Sequence, residues 1–246
     1  MHRYHLLIEY IGTNFIGWQI QPKGKSIQKS IQNKLSKVLK EKVFLFGSGR
    51  TDSGVHAIEQ SAHFDCKNKI HNFDKFLQRM NYSVNKEGIS ILNIKKKNLN
   101  FHARFSAKQR IYKYVIFNRL SRPSIDKGRG WHIIKKLDII LMKKGAKKLL
   151  GTKDFSTFRS SSCNARSPIR TMQSIKIKSI KGKIEIQFKS QSFLQQQVRS
   201  MVGCLKYLAE KKWNLKKFES VFKLKQRKLC APPAPAEGLF LEKVIY

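Results

Sequence analysis

The sequence predicts an α+β protein built of two similar halves. Apolar residues at helical spacing alternate with runs of β-branched and aromatic residues, and one helix-and-strand set lies on each side of residues 101–110. No short-period repeat interrupts them, which excludes a solenoid or a propeller. The expected division is 1–106 and 107–246.

Taken in order, Tyr4–Tyr10 reads as the first strand. Ile27, Ile31, Leu35, Val38 and Leu39 then recur at helical spacing behind Ser26, a side chain suited to an N-cap. After a strand at Val43–Phe46, Phe73, Phe76, Leu77 and Met80 form a second helix following Asn72. Ile89–Ile94 is a strand, and Lys95, Lys96 and Lys97 after it read as a solvated turn. The second half opens with the strand Ile111–Phe117. A helix follows through Leu137, Ile140, Leu141 and Leu149, ending at Gly151. Strands at Ile175–Ile180 and Lys183–Phe188 precede a helix carrying Leu194, Val198, Met201, Val202, Leu205, Leu208 and Ala209. Pro232-Pro233-Ala234-Pro235 is a stiff connector to a last strand, Leu239–Tyr246.

Composition narrows the class. Of 246 residues, 51 are Lys or Arg and 15 are Asp or Glu, a formal charge of +36, which calls for a polyanionic partner such as nucleic acid. With 41% hydrophobic and 11% aromatic residues the chain is too apolar for a disordered basic tail. AT-rich genomes give lysine excesses on solvated faces, so the clustered arginines are the sharper signal. No apolar run is long enough to span a membrane. A charged residue, Glu9, falls inside what would be a signal peptide's apolar stretch, which predicts a cytoplasmic protein. Cys66, Cys163, Cys204 and Cys230 form no C-x-x-C pair and read as free thiols of a reduced compartment.

The densest chemistry is Gly47-Ser48-Gly49-Arg50-Thr51-Asp52-Ser53-Gly54-Val55-His56, directly after a strand. Neither phosphate-binding glycine pattern fits: Gln19 stands where Gly24-Lys25-Ser26 would need the first glycine, and Asp52 takes the third glycine's place after Gly47 and Gly49. What remains is an acid beside Arg50 in a chain poor in acids. Asp52 either caps a turn and pairs with Arg50, or acts as a charged nucleophile or electrostatic partner. His56, Glu59 and His63 match no zinc order and read as ordinary histidines and an ordinary acid; no serine-nucleophile elbow is present.

Two further clusters carry aromatics and cations. Phe101-His102-Ala103-Arg104-Phe105-Ser106 and Arg110-Ile111-Tyr112-Lys113-Tyr114 have the interleaving that RNA binding uses, rings for bases and cations for phosphates. Arg110, Tyr112 and Tyr114 share one strand face. Arg199, on the buried helix pattern Phe193–Gly203, needs either a carboxylate partner, for which Asp52 is available, or a route to solvent.

These clusters, in this order, resemble the tRNA pseudouridine synthase A family. The likeness runs through Gly17-Trp18-Gln19, Gly49–His56, Phe101–Ala107, Asp154-Phe155-Ser156-Thr157-Phe158-Arg159, Val198–Gly203 and Ala234-Pro235-Ala236-Glu237-Gly238-Leu239. It implies two α/β halves sharing one long, mainly antiparallel sheet flanked by helices, with the active cleft between them. It implies a homodimer, without metal or cofactor, that isomerises uridine to pseudouridine at positions 38, 39 and 40 of the tRNA anticodon stem and loop. By matching position, Asp52 is the nucleophile, Tyr112 packs on the target base, Arg199 pairs with the nucleophile and Arg50 displaces the base. The RNA-contacting stretches are Phe101, His102, Ala103, Arg104 and Phe105, then Ser162, Cys163, Asn164, Ala165 and Arg166, then Arg199 with Ser200, Met201, Val202 and Gly203. Gln196 and Gln197 stand where members of that family usually have His or Asn and then Met. A non-catalytic RNA-binding or RNA-folding protein on the same scaffold, and another cofactor-free RNA-modifying enzyme, are the alternative functions. The carboxylate of Asp52 beside Arg50, with Tyr112 and Arg199, is more than a pure binder needs.

Overall fold

The computed structural model describes all 246 residues, and ten strands and five helices form a mixed, mostly antiparallel α+β fold, as predicted. Its two compact units are Met1–Lys108 with Phe240–Tyr246, and Gln109–Leu239. The closing strand therefore belongs with the first unit, whereas the sequence division left it in the second.

In the first unit, β1 (His2–Tyr10) lies between β4 (Ile89–Lys97) and β3 (His56–Cys66), antiparallel to both. The short β2 (Leu45–Gly47) pairs antiparallel with β3, and β10 (Leu239–Ile245) runs parallel to it through Phe240 and Leu241. Helix α1 (Ile27–Leu39) starts where Ser26 accepts from the Lys29 amide, and α2 (Phe73–Val84) where Asn72 accepts from Lys75. Their inner rows, Ile27, Ile31 and Leu35 and then Phe76, Met80 and Val84, are buried, as are Tyr4, Leu6, Ile8 and Phe64 of the strands.

β3 was not predicted. Eight of its eleven positions are buried, and its buried set includes His56, Gln60, Ser61 and His63, so no apolar alternation marks it. Lys95, Lys96 and Lys97 belong to β4 rather than to a turn, and β4 is at the edge of the sheet, where lysines discourage further strand pairing.

The second unit repeats the opening theme of strand, helix, short strand and long strand. β5 (Gln109–Phe117) precedes α3 (Ile139–Lys148), β7 (Gly151–Asp154) and β8 (Ile169–Ile180), with β7 antiparallel to β8 as β2 is to β3. The two-residue strand β6 (Trp131–His132) runs parallel to β5, and β9 (Lys183–Ser190) lies between β5 and β8, antiparallel to both. α4 (Gln197–Ala209) and α5 (Leu215–Lys223) pack with α3 around Met142, Met201, Leu205, Leu208 and Phe218. α3 begins after Leu137, at the Asp138 cap, and α4 after Leu194, so both helices start later than their apolar patterns. α5 has only Phe218 and Val221 buried, too short a stripe to stand out among lysines.

Candidate active site and RNA-contact surface

The loop between β2 and β3 is fixed along its length. The Ser48 amide donates to the Ser61 carbonyl at 2.7 Å, and Gln60 Nε2 donates to the Gly49 carbonyl at 2.8 Å. The Tyr10 hydroxyl is 2.8 Å from Thr51 Oγ1, the Trp18 amide donates to the Thr51 carbonyl at 3.1 Å, and Ser53 Oγ donates to the Phe15 carbonyl at 3.0 Å. Gly17, at φ 114°, lets this backbone come close: a Cβ there would stand 2.6 Å from the Thr51 carbonyl oxygen. With Thr51 and Val55 buried on either side, Asp52 is half-buried and Arg50 is exposed. A carboxylate so placed is held by a rigid backbone yet reachable by a ligand.

His56 and His63, which flank this region on β3, have ordinary duties. His56 Nδ1 accepts from the Gly12 amide at 3.1 Å, and His63 Nδ1 accepts from the Ala103 amide at 3.2 Å. The latter bond anchors segment 101–105. Phe101 is buried against His5 and Tyr246, with ring centroids 5.1 and 4.9 Å away, and Arg3 donates to its carbonyl. Ala103 is buried, and its carbonyl accepts from the Tyr246 hydroxyl at 2.8 Å. His102 is half-buried; its Nδ1 accepts from the Arg104 amide at 3.1 Å. Arg104 and Phe105 alone of the five are exposed, the guanidinium 5.5 Å from the centre of the phenyl ring. Burial pushes the His5 and His63 imidazoles down to about 4, so both are neutral near pH 7, and burial also lowers His102.

In the second unit Tyr112 is 8% exposed on β5, with Phe193 edge-on to it at 5.0 Å. Tyr114 on the same face is core: its hydroxyl donates to the Pro235 carbonyl at 2.8 Å, and burial raises it well above the ordinary tyrosine range. Arg110 is also buried, donating to the Gln191 carbonyl at 2.6 Å. The shared strand face is thus largely internal.

Arg199 is half-buried in the first turns of α4. Gln196 enters the helix in the left-handed region, φ 60°, and the Gln197 side chain is wholly buried, its Oε1 accepting from the Leu194 amide at 2.8 Å. The two glutamines that depart from the family pattern therefore build the helix start. Ser200, Met201, Val202 and Gly203 are all buried. Ser200 Oγ accepts from Arg227 at 2.7 Å, and Gly203 backs onto the Pro232 carbonyl. These four support the helix from inside, and so do Phe101 and Ala103 in their segment. Ser162, Asn164 and Arg166 are exposed, with Cys163 and Ala165 half-buried, in a loop whose Cys163 amide donates to the Ser160 carbonyl at 3.1 Å. Beside it Arg159, Lys225 and Arg227 line a recess of about 510 Å³ with Ser156, Ser160 and Ser161. Sequence reading missed these three cations, although Arg159 closes a motif it had singled out.

The family of tRNA pseudouridine synthases matches residues 6–106 and 146–246. This chain belongs to that family. Over all 246 residues it is 78% identical to the full length of tRNA pseudouridine synthase A from Pelagibacter ubique (strain HTCC1062). The protein of that name from Parvibaculum lavamentivorans is 39% identical across the whole of both chains, and that from Maricaulis maris 37% across 98% of its length. As a pseudouridine synthase it is an isomerase. The two matched stretches agree with the repeated strand and helix order of the two units. No helix is long and apolar enough to cross a membrane.

Proposed function

We propose that this synthase isomerises uridine to pseudouridine at positions 38, 39 and 40 of the tRNA anticodon stem and loop, with Asp52 as nucleophile. The observation that carries the reading is the loop holding Asp52: a half-buried acid on a backbone fixed by Tyr10, Trp18 and Gln60. The reaction breaks N1–C1′, turns the uracil and joins C5 to C1′. The C5 proton leaves and N1 gains one, so neither water nor electrons are consumed, and no cofactor or metal is needed. Attack of the carboxylate at C6, attack at C1′, and assisted elimination to a glycal each use one ionised acid. The target base leaves the stack first, at a cost of a few kcal/mol. Tyr112 receives it, and Arg50 and Arg199 bind substrate.

The exposed Arg104, Phe105, Ser162, Asn164 and Arg166, with His102, Cys163 and Ala165, meet the RNA. Phe101, Ala103, Ser200, Met201, Val202 and Gly203 act by shaping the backbone of the contacting segments. The enzyme works as a homodimer in the cytoplasm. Incubation with an unmodified tRNA transcript, followed by chemical labelling of pseudouridine and primer extension, is expected to give stops at positions 38–40. Binding of that tRNA without any stop would favour the non-catalytic RNA binder.

A further inference from the structure

Two cysteines 26 positions apart in sequence meet at the inner side of α4, where Cys204 Sγ stands 3.4 Å from Cys230 Sγ. Cys204 is buried on the helix, and Cys230 is half-buried at the head of the proline-rich connector. We propose that Cys204 and Cys230 are a redox pair, closing to a reversible disulfide on exposure to hydrogen peroxide.

The surroundings assign the two sulfurs different parts. The two thiols are hydrogen-bonded to each other, and the Arg227 guanidinium, donating to Ser200 Oγ at 2.7 Å, brings its positive charge to the side of Cys230. Together they hold the Cys230 thiol below its ordinary range, while the bond to Cys230 and burial push Cys204 up. Cys230 is therefore the attacking thiolate. It takes one peroxide oxygen, the O–O bond breaks, and the released hydroxide becomes water with a proton from solvent. The sulfenic acid left on Cys230 is attacked by the sulfur of Cys204, the S–O bond breaks, and the hydroxide departs as water with the Cys204 proton. The Cys230 thiol has already given its proton to solvent. Overall two thiols and one peroxide give one disulfide and two waters, with two electrons passing from sulfur to oxygen; an external dithiol reverses it. Cys66 offers a contrast: burial pushes its thiol up to about 11, and it donates to the Asn68 carbonyl at 3.2 Å with no second sulfur beside it.

The disulfide would tie a strap that is already sewn to α4. The Ala234 amide donates to the Arg199 carbonyl at 3.0 Å, and a Cβ on Gly203 would come within 2.1 Å of the Pro232 carbonyl oxygen. The covalent link adds a third fastening in the same interface and stiffens the seat of Arg199. The inference does not depend on the substrate proposed above.

The test uses the full chain, reduced, freed of reductant and titrated with hydrogen peroxide. Denatured thiol counts are expected to fall from four to two, a tryptic map to show the peptides of Cys204 and Cys230 linked, and dithiothreitol to restore all four. The oxidised protein should melt a few degrees higher than the reduced one. Cys230→Ala should lose both the two-thiol drop and the melting shift while keeping tRNA modification. Cys204→Ala should behave alike, and if it fails to fold, the half-exposed Cys230 variant decides. Four thiols surviving excess peroxide, sulfinic acid on Cys230 without linkage, or a bridge through Cys163 between chains would each overturn the proposal.

Discussion

Arg199 and Ala234 are clamped to each other in both directions. Arg199 Nε donates to the Ala234 carbonyl at 2.8 Å, and the Ala234 amide donates back to the Arg199 carbonyl at 3.0 Å. The first bond fixes the plane of the guanidinium, and the second fixes the turn of helix that carries it. A proline-rich segment that reads in sequence as a mere connector is thus part of the positioning apparatus.

Arg199→Lys keeps the charge and loses the Nε–H, so the clamp becomes one-sided. Turnover should fall at least tenfold. The melting temperature should drop by only the few degrees that one hydrogen bond of about 1 kcal/mol supplies. Single-turnover kinetics and a thermal melt on the same preparation check this; unchanged turnover would remove Arg199 from the substrate site.

Asp52→Asn retains the size of the side chain and removes its charge. Pseudouridine formation should become undetectable, while tRNA affinity stays within a few-fold, because binding draws on many cations and chemistry on one carboxylate. Filter binding and single-turnover assays separate the two. Substantial turnover by the Asn variant would refute the nucleophile assignment.

Tyr10→Phe tests the scaffold without touching the loop itself. It deletes the hydroxyl 2.8 Å from Thr51 Oγ1 and beside Gln60 Nε2. A stability loss of about 1 kcal/mol follows from the lost bond. The loss of turnover should be the larger effect, tenfold or more, with KM little changed. Equal losses in stability and activity would make Tyr10 a core residue only.

The candidate loop Gly49–Gly54 was legible in the sequence as a loop, because glycines and polar residues sit directly after a strand. Its supports were not. Tyr10 reads as the end of an apolar strand, and Gln60 lies in β3, a strand hidden by its own polar residues. Local pattern also fails to say which way a residue faces. Ser200–Gly203 lie on every side of a helix packed all round, so all four are inside, and the interleaved Arg110, Tyr112 and Tyr114 turn out to be buried together. The N-caps Ser26 and Asn72 were readable because a single side chain next to an apolar row defines the helix start. The later starts of α3 and α4 were not, because Leu137 and Leu194 are buried without being helical.

His5 and His63 give the protein a titration of stability that is independent of the reaction. Burial is the largest cause of both depressions, followed by Lys97 and Lys95 for His5 and by His102 for His63, and both imidazoles are held at about 4 against an ordinary 6.5. Between those values the unfolded chain binds protons that the folded chain refuses. Stability is therefore complete above about pH 7, falls as pH drops through 6.5, and levels near 4, by at most about 1.4 kcal/mol per pH unit for each histidine. Losses at still lower pH belong to carboxylates such as Asp65, which its hydrogen bond with Arg3 holds low. Urea unfolding between pH 4 and 8 should show the slope, and His5→Gln should reduce it by about half, leaving the part due to His63. A flat profile in the parent protein would mean that both rings protonate as folded.

Arg104 and Phe105 offer a test that separates charge from stacking on a single surface, since they adjoin in sequence and both face solvent. Phe105 is 76% exposed, an unusual position for a ring that has no core to fill, and the Arg104 guanidinium lies 5.5 Å from its centre. If they meet tRNA as proposed, Arg104 neutralises phosphate and Phe105 takes a base. Each phosphate contact contributes about 0.7–0.9 to the slope of log K against log salt, so Arg104→Ala should make that slope shallower by about that amount. Phe105→Ala should leave the slope alone and weaken binding by about 1–3 kcal/mol at every salt concentration. Affinities of the parent and both variants, measured across a salt series, give the two signatures independently. A slope change in the Phe variant would mean that the ring acts by holding Arg104 in place. No change in either variant would place the RNA elsewhere on the highly charged surface.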